Sequence, residues 1–475
     1  MVRSTISASR ILLVLFLISG VACDNPSEPD QSIESTVNLS HLDYLGETME
    51  RGGEQFRMIH IYADAPSYAW VGDDDEGQAC VDDVARAAVV YLRHFELTGN
   101  TESAEKAKEL LRFVRYMQTD EGLFYNFVWD NTLRKNTEHE NSVADKVNWW
   151  AARAVWALGV GARTLAEYDS SFTQLCLTSI EEIYPKIDAM TSSYPNTKRI
   201  NGYEMPTWLI SETGSDASSE LLLGLNATHQ LTGDMKYKTL INKLGEGIAR
   251  MQYGNSTEAS YGAFISSEGG WHGWGNSQTM ALAEAGLIDA AKKEADNFYT
   301  RMLVEGWLHS FPLDNPENTR EFEQIAYATR GVAVGLIRLY EATKNEDYAI
   351  LAGLAASWFT GNNVANARMY IPLHGYGYDG IDGPEDVNNN SGAESTIEAL
   401  FTILEVENHL LSNKWLYASS DGPYSLTLGE NLYRYRMYSV THNGASESIV
   451  LISKRSESGY ALFTETEFQE FKNQN

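Results

Sequence analysis

Leu97-Thr98-Gly99-Asn100, Leu231-Thr232-Gly233-Asp234 and Ala342-Thr343-Lys344-Asn345 are three copies of one turn. Each follows an apolar run of helical period and precedes a second, more charged one. The unit is therefore a helical hairpin. Apolar periodicity places five consecutive hairpins at about 79–97 with 101–118, 146–162 with 168–189, 216–231 with 234–252, 276–287 with 288–304, and 321–342 with 346–359. A first helix at about 37–50 and a last at about 392–406 make a sixth. The first member of a pair, as in Asn148-Trp-Trp-Ala-Ala-Arg-Ala-Val-Trp-Ala-Leu-Gly159, is apolar nearly all round and reads as inner. The second, as in Glu102 to Gln118, is charged on one face and reads as outer. The expected fold is mainly α, an (α/α)6 barrel over 36–407, with the loops that enter the inner helices converging on one mouth.

The flanks differ from this core. Arg3 and Arg10 precede the apolar stretch Ile11 to Val21, which is too short to span a bilayer as a helix. Gly20-Val21-Ala22-Cys23 resembles the lipobox of a bacterial lipoprotein. This resemblance implies a signal peptide over 1–23, lipidation of Cys23, and a cell-envelope protein held to the membrane by its lipid anchor alone. Residues 24–35 are rich in Pro, Ser, Asp and Glu and read as a flexible tether. Beyond Glu407, the segments 424–428, 433–440, 448–453 and 460–464 are β-rich and separated by Gly and Asn. They predict a small antiparallel β appendage over 408–475.

The formal net charge of −29 speaks against nucleic acid, whose phosphates need clustered Lys and Arg. A chain with 11 Trp and 26 Tyr has many polar-tipped rings suited to sugar faces. Cys80 and Cys176 are too few for a disulfide framework and read as inert packing. The sequence has no CxxC, HExxH, Walker A or GxSxG motif.

Long loops in a compact domain are usually functional, and here they lead into the inner helices. The first delivers Trp70 and then Asp82 and Asp83 at a helix start, where free N–H groups favour carboxylates. Arg86 follows at i+4 from Asp82 as a simple pairing partner. The second carries Glu138-His-Glu140 ahead of Trp149, and Glu140 is its best catalytic candidate. The third offers Trp208, Glu212, Asp216 and Glu220. The fourth, Glu268-Gly-Gly-Trp-His-Gly-Trp-Gly-Asn276, sets Trp271, His272 and Trp274 among glycines and reads as a stacking platform. The sixth holds Tyr376, Asp379, Asp382, Glu385 and Asp386 and leads to Glu394. Its oxygens could suit calcium, but without an EF-hand spacing, and no metal site is assigned. In a closed ring the last inner helix lies beside the first, so Glu394 and Asp82 or Asp83 would share one edge of the mouth. Paired carboxylates beside a sugar cleft are what glycosidic hydrolysis requires.

With those residues placed, the chain resembles the six-hairpin, (α/α)6-barrel glycosidase-like families, in particular the toroidal helical domain attached to bacterial glycosyltransferases. The likeness rests on Val81-Asp-Asp-Val-Ala-Arg-Ala87, Phe124 to Phe127, Glu140 with Ala154-Val-Trp-Ala-Leu-Gly159, Trp358 to Asn363, and Asp379-Gly380 with Asn390-Ser-Gly-Ala-Glu-Ser-Thr396, and spans about 60–405. A looser similarity to family 9 glycosidases implies Asp82 or Asp83 as base and Glu394 as acid, although the full Asp-Gly-Gly and Asp-Gly-Asp context of that family is absent. The resulting expectation is a lipoprotein glycoside hydrolase acting on a poly- or oligosaccharide without a cofactor. A polysaccharide lyase on the same scaffold and a glycan-binding protein of an uptake system are the alternatives. A lyase acts on uronic acids and would need Arg or Lys beside a Tyr or His in the mouth, and the loops offer few beyond Arg134, Lys135, Lys198 and Arg199.

Overall fold

In the computed structural model, described here for residues 35–474 except 257, 443 and 455–458, the three repeated turns are built by one set of bonds. The Thr hydroxyl bonds back one helical turn: Thr98 to His94 O (2.6 Å), Thr232 to Thr228 O (2.9 Å) and Thr343 to Leu339 O (2.6 Å). Gly99, Gly233 and Lys344 take positive φ (71°, 68° and 60°) and stop the helix. Asn100, Asp234 and Asn345 then accept N–H bonds from the first turn of the next helix, a cap that contributes about 1 kcal/mol.

The helices in chain order are α1 (Ser40–Leu45), α2 (Val81–Thr98), α3 (Thr101–Tyr116), α4 (Trp149–Thr164), α5 (Ser170–Met190), α6 (Ser215–Thr232) and α7 (Met235–Arg250). They continue as α8 (Gln278–Glu284), α9 (Ile288–Glu294), α10 (Thr300–Glu305), α11 (Ala326–Thr343), α12 (Glu346–Thr360), α13 (Ala393–Glu407), α14 (Leu410–Trp415) and α15 (Glu465–Gln474). The inner helices pack in the order α2, α4, α6, α8, α11, α13 and back to α2, which closes a ring. Helices α3, α5, α7, α9, α12 and α14 each back the inner helix that precedes them.

The ring is tightest between α4 and α6. A Cβ on Gly159 would stand 2.2 Å from Gly224 O, and one on Gly224 would stand 2.3 Å from Val155 O. Only glycine lets these two backbones approach so closely.

Several expectations need correction. The helix expected over 37–50 is only α1; Gly46–Arg51 instead pairs with Glu54–Ile59 as an antiparallel hairpin. Its turn is Gly52-Gly53, both at positive φ (64° and 83°), the geometry that suits a two-residue hairpin. The sixth outer position therefore falls to the short α14, with α1 also against α13. The fourth hairpin is irregular: α8 has 7 residues, and a π-helical turn, Ala295–Tyr299, joins α9 to α10. The fifth inner helix begins at Ala326, because Gln324–Ile325 forms a strand with Gly380–Ile381. The signal sequence, Cys23 and all but the last residue of the tether lie outside the described residues.

After α14 come four antiparallel strands in sequence order: Ser419–Leu428, Asn431–His442, Ala445–Lys454 and Tyr460–Thr464. One face of this sheet joins the main core through Tyr438, Val440, Ile449 and Leu451. The other is covered by Phe468 of α15, a helix the sequence reading did not anticipate. Among the described residues no helix is long and apolar enough to cross a membrane.

Glu294 at the end of α9 ties the fourth loop to the ring. Fully buried, it accepts Phe264 N–H (2.8 Å) and the Thr279 hydroxyl (2.7 Å). Burial pushes its carboxyl up to about 7, against a pull downward from these bonds. Because the folded value lies above the ordinary 4.5, the contribution of this group to stability is fully present below pH 4.5. It declines by about 3 kcal/mol as pH rises to about 7 and is flat above that. Urea melts from pH 4.5 to 8 are expected to show this loss, and Glu294→Gln to flatten its share of it.

Candidate active site

The first loop ends in the bridge of Ala79–Cys80 to Phe127–Val128, which sets Asn126 against the start of α2. Cys80 is the N-cap of α2: its Sγ accepts from Asp83 N (3.4 Å) and donates to Asp83 Oδ2 (3.2 Å). Cys80 thus holds a site carboxylate rather than merely filling space. Asn126 clasps Asp82, its Oδ1 accepting Asp82 N–H (3.2 Å) and its Nδ2 donating to Asp82 Oδ2 (3.0 Å).

From here a belt of alternating charge runs round the ring. Arg86 meets Asp83 (2.7 Å), Glu394 (3.1 Å) and Glu398 (2.6 Å). Glu398 also binds Arg330 (2.5 Å), whose Nη2 lies 3.7 Å from Glu220. Glu220 binds Arg153 (2.8 Å), and Arg153 reaches back to Asp82 (2.9 Å). Tyr327 sits at the centre. It accepts from Arg153 Nη2 (2.5 Å) and donates to Glu220 Oε1 (2.9 Å). The guanidinium carbons of Arg86, Arg330 and Arg153 lie 4.8, 5.0 and 5.6 Å from its ring centroid. The missing helix, α8, is represented by Ser277 just before it, which accepts from Arg330 Nη1 (2.8 Å). All these residues sit on the first or second turn of their helices, so the N-terminal ends of the inner helices meet at one mouth.

The belt sets five carboxylates (Asp82, Asp83, Glu220, Glu394, Glu398) against three guanidiniums, an excess of two acids. Burial would raise Glu220, but Arg153, Arg330 and Arg86 outweigh it and hold the carboxyl below its ordinary value. Asp83 and Glu394 go the other way. Loss of solvent raises Asp83, with Asp82 adding to it against Arg86 and Cys80. The Glu394 carboxyl is raised first by the protein crowded around it, then by Asp83 and Glu398, against Arg86 and Arg153. Yet half of the Glu394 side chain is reached by solvent, compared with 20% for Asp82 and 5% for Asp83. Both Asp83 oxygens are spent inside the protein, whereas only Oε2 of Glu394 is engaged.

The other expected residues divide. Trp149 opens α4 with Arg153 stacked 4.8 Å from its ring centroid, and the Gly275 backbone lies against its edge. Trp274 is exposed and stacks on His272 (3.8 Å). His272 Nε2 faces buried Asp216 (3.1 Å), and its Nδ1 is 2.7 Å from Trp274 O. Burial lifts the Asp216 carboxyl, against the hydrogen bond with His272. Glu212 and Glu268 converge on Lys198, at 2.7 Å each, on an exposed rim. Trp70 is exposed, stacked on His60 (3.9 Å). Tyr376 stacks on Tyr68 (4.2 Å).

Trp271 does not join Trp274 in a platform, and Trp208 offers no face to a ligand. Trp208 is wholly buried and donates to Lys243 O (2.8 Å). Trp271 is buried between Phe311 and Phe298. Glu140 is exposed on a one-turn 3-10 helix, and among the described residues its carboxylate makes no hydrogen bond or ion pair, so it does not join the belt. Asp379 accepts from Ser395 (2.6 Å), and burial raises its carboxyl. Asp382, Glu385 and Asp386 lie exposed, and among the described residues no three His, Cys, Asp or Glu gather as metal ligands would. Sequence reasoning missed Arg153, Tyr327, Arg330 and Glu398, although for the two arginines and Glu398 a charged residue on an otherwise apolar inner helix was the signal.

No family model and no curated protein matches the sequence. Solved structures do resemble the fold. A cellobiose 2-epimerase from Bacillus thermoamylovorans B4167 is 11% identical, with TM-score 0.52 over 74% of this chain and 92% of that one. A sugar epimerase from a ruminal bacterium is 14% identical, with TM-score 0.52 over 79% and 96%. A D-mannose isomerase is 13% identical, with TM-score 0.52 over 77% and 95%. This chain is thus similar in fold to enzymes that process sugars.

Breaking a buried ion network is costlier than never having formed it. Arg86→Met leaves Asp83 and Glu398 without their shared cation. It is expected to cost about 3–5 kcal/mol in urea unfolding, and Arg86→Met with Glu398→Leu to recover part of that.

Proposed function

We propose that the chain is a carbohydrate-active enzyme on an (α/α)6 barrel, and that it hydrolyses glycosidic bonds in a poly- or oligosaccharide at the mouth of the ring. One observation carries this reading. Asp82 and Glu394, from the first and last inner helices, belong to one charge network, yet their surroundings differ. Glu394 is half-exposed, has Oε1 unengaged and has a raised carboxyl, as a proton donor to a leaving oxygen needs. Asp82 is fixed by Arg153 and Asn126 and supplies the base or nucleophile. Asp83, buried and bonded on both oxygens, positions Arg86. Trp149 and Trp274 offer faces to sugar rings. Cys23 carries the lipid that holds the protein to the cell envelope.

A second reading is a sugar epimerase or isomerase. The neighbours named above support it, as does His272, an imidazole at the rim backed by Asp216. The two reactions differ in product. Hydrolysis creates new reducing ends, whereas epimerisation changes the sugar without creating any.

The full chain, assayed for new reducing ends on a panel of neutral and acidic glycans, is expected to hydrolyse at least one. Glu394→Gln should lower kcat by about 10²–10⁴-fold, and Asp82→Asn should abolish turnover while sparing binding. Since Glu394 must be protonated and its folded value is raised, the alkaline limb of kcat/KM should lie above pH 4.5 and fall as pH rises through it. No new reducing ends on any glycan, with conversion of a reducing sugar instead, would move the assignment to the epimerase reading.

A further inference from the structure

A cavity of about 650 Å³ lies away from the mouth. It lies outside the ring, where α10 and the loop 306–324 face the C-terminal sheet. The sheet is bolted there: Tyr438 Oη donates to Leu303 O (2.7 Å) and Arg436 Nε to Val304 O (2.9 Å). The size suits a short oligosaccharide or a drug-sized ligand.

Its lining decides between ligand classes. Trp307 and Phe322 are half-buried in the wall, packed on one side against the main core and exposed in part along the cavity. Gln324 is 94% buried; Trp358 Nε1 donates to its Oε1 (3.4 Å), and its amide nitrogen has no acceptor among the described residues. That nitrogen is a fixed donor at the wall. Glu317 and Glu321 stand exposed on the same lining, with no hydrogen bond or ion pair among the described residues. Both arginines of the lining are already engaged. Arg301 donates to Glu258 O and Ser256 O, and Arg436 to Val304 O and Ser420 Oγ. Those acceptors are neutral, so the lining sets three carboxylates (Glu305, Glu317, Glu321) against two guanidiniums, a net negative balance that disfavours uronates and phosphates. Aromatic faces, a fixed amide donor and carboxylate acceptors together match the apolar face and hydroxyl edges of a neutral sugar.

We propose that this cavity is a second saccharide-binding site, specific for neutral oligosaccharides and walled on one side by the C-terminal sheet. The sheet then has a role: it completes a glycan site remote from the charged belt. Phe311, on the cavity wall, pairs in register with Trp271, next to His272. A strand pair thus separates the cavity from the rim of the mouth, and a chain held in one could reach the other.

The test uses the full chain carrying Glu394→Gln, with cellotetraose and mannotetraose as probes. Hydrogen exchange and titration calorimetry are the readouts. At least one tetraose is expected to protect 306–324 and 419–438, and Trp307→Ala to weaken its binding there at least tenfold. Gln324→Ala should weaken binding too, which decides the matter should Trp307→Ala fail to fold. Protection confined to 73–86 and 390–398 would overturn the second site while leaving the mouth reading intact. Protection nowhere would also overturn it, as would an unchanged effect in both variants or preferential binding of an oligogalacturonate. Turnover at the mouth is scored separately, by reducing ends in the unsubstituted chain.

Discussion

Three guanidiniums shared among five carboxylates, round one tyrosine ring, are the constraint on which the rest of this structure depends. Charges taken out of water are costly unless each is paired and further hydrogen-bonded. Here Arg86, Arg153 and Arg330 each bridge acids from different inner helices. The network can be satisfied only if the helices hold one rotation and one height. The same pairing leaves two acids in surplus, and Asp83 and Glu394 are the ones whose carboxyls are lifted. Of these, only Glu394 reaches solvent. The demand that organises the ring therefore also leaves one lifted, solvent-reached carboxyl at its mouth.

A second tier stands at the opposite ends of the same helices. Glu405 binds both Arg93 (2.8 Å) and Arg338 (2.6 Å), and Arg338 also binds Glu284 (2.9 Å) and Glu341 (2.7 Å). Arg163 meets Glu96 (3.2 Å). Between the tiers the interior is apolar, with Val89, Trp156, Met280 and Phe401. The inner helices therefore run in one direction, pinned at both ends. The contact of Gly159 with Gly224 fixes the backbone spacing that lets Arg153 meet Glu220.

The hairpins were legible because their turn chemistry is local: Thr, a left-handed residue and a cap are read from four consecutive letters. The first outer helix was misread for the opposite reason. Leu39 to Leu45 has helical spacing, and the strand that follows is specified by pairing with Glu54–Ile59 rather than by its own letters, although Gly52-Gly53 signalled the hairpin. At the site, Asp82, Asp83 and Glu394 were visible from helix starts and ring closure. Arg330 and Glu398 were not, because their meaning lies in pairing across the ring. Trp208 and Trp271 looked like a binding surface because glycines flank them or charges follow them. Only tertiary packing shows that Trp271 is sandwiched by Phe311 and Phe298.

The cap at the start of α2 bears on how this chain endures oxidants. A thiol reacts as its thiolate. Burial pushes the Cys80 thiol far up, with Asp83 and Asp82 adding to it, and pushes Cys176 up to about 12. Both sulfurs are shielded in the native chain, so peroxide or a disulfide-exchange catalyst finds no nucleophile on them. The unfolded chain has no such shelter. Where its surroundings are oxidising, the helix start that orders Asp83 must form before its sulfur is consumed, and the order of events during maturation becomes part of how the site is made.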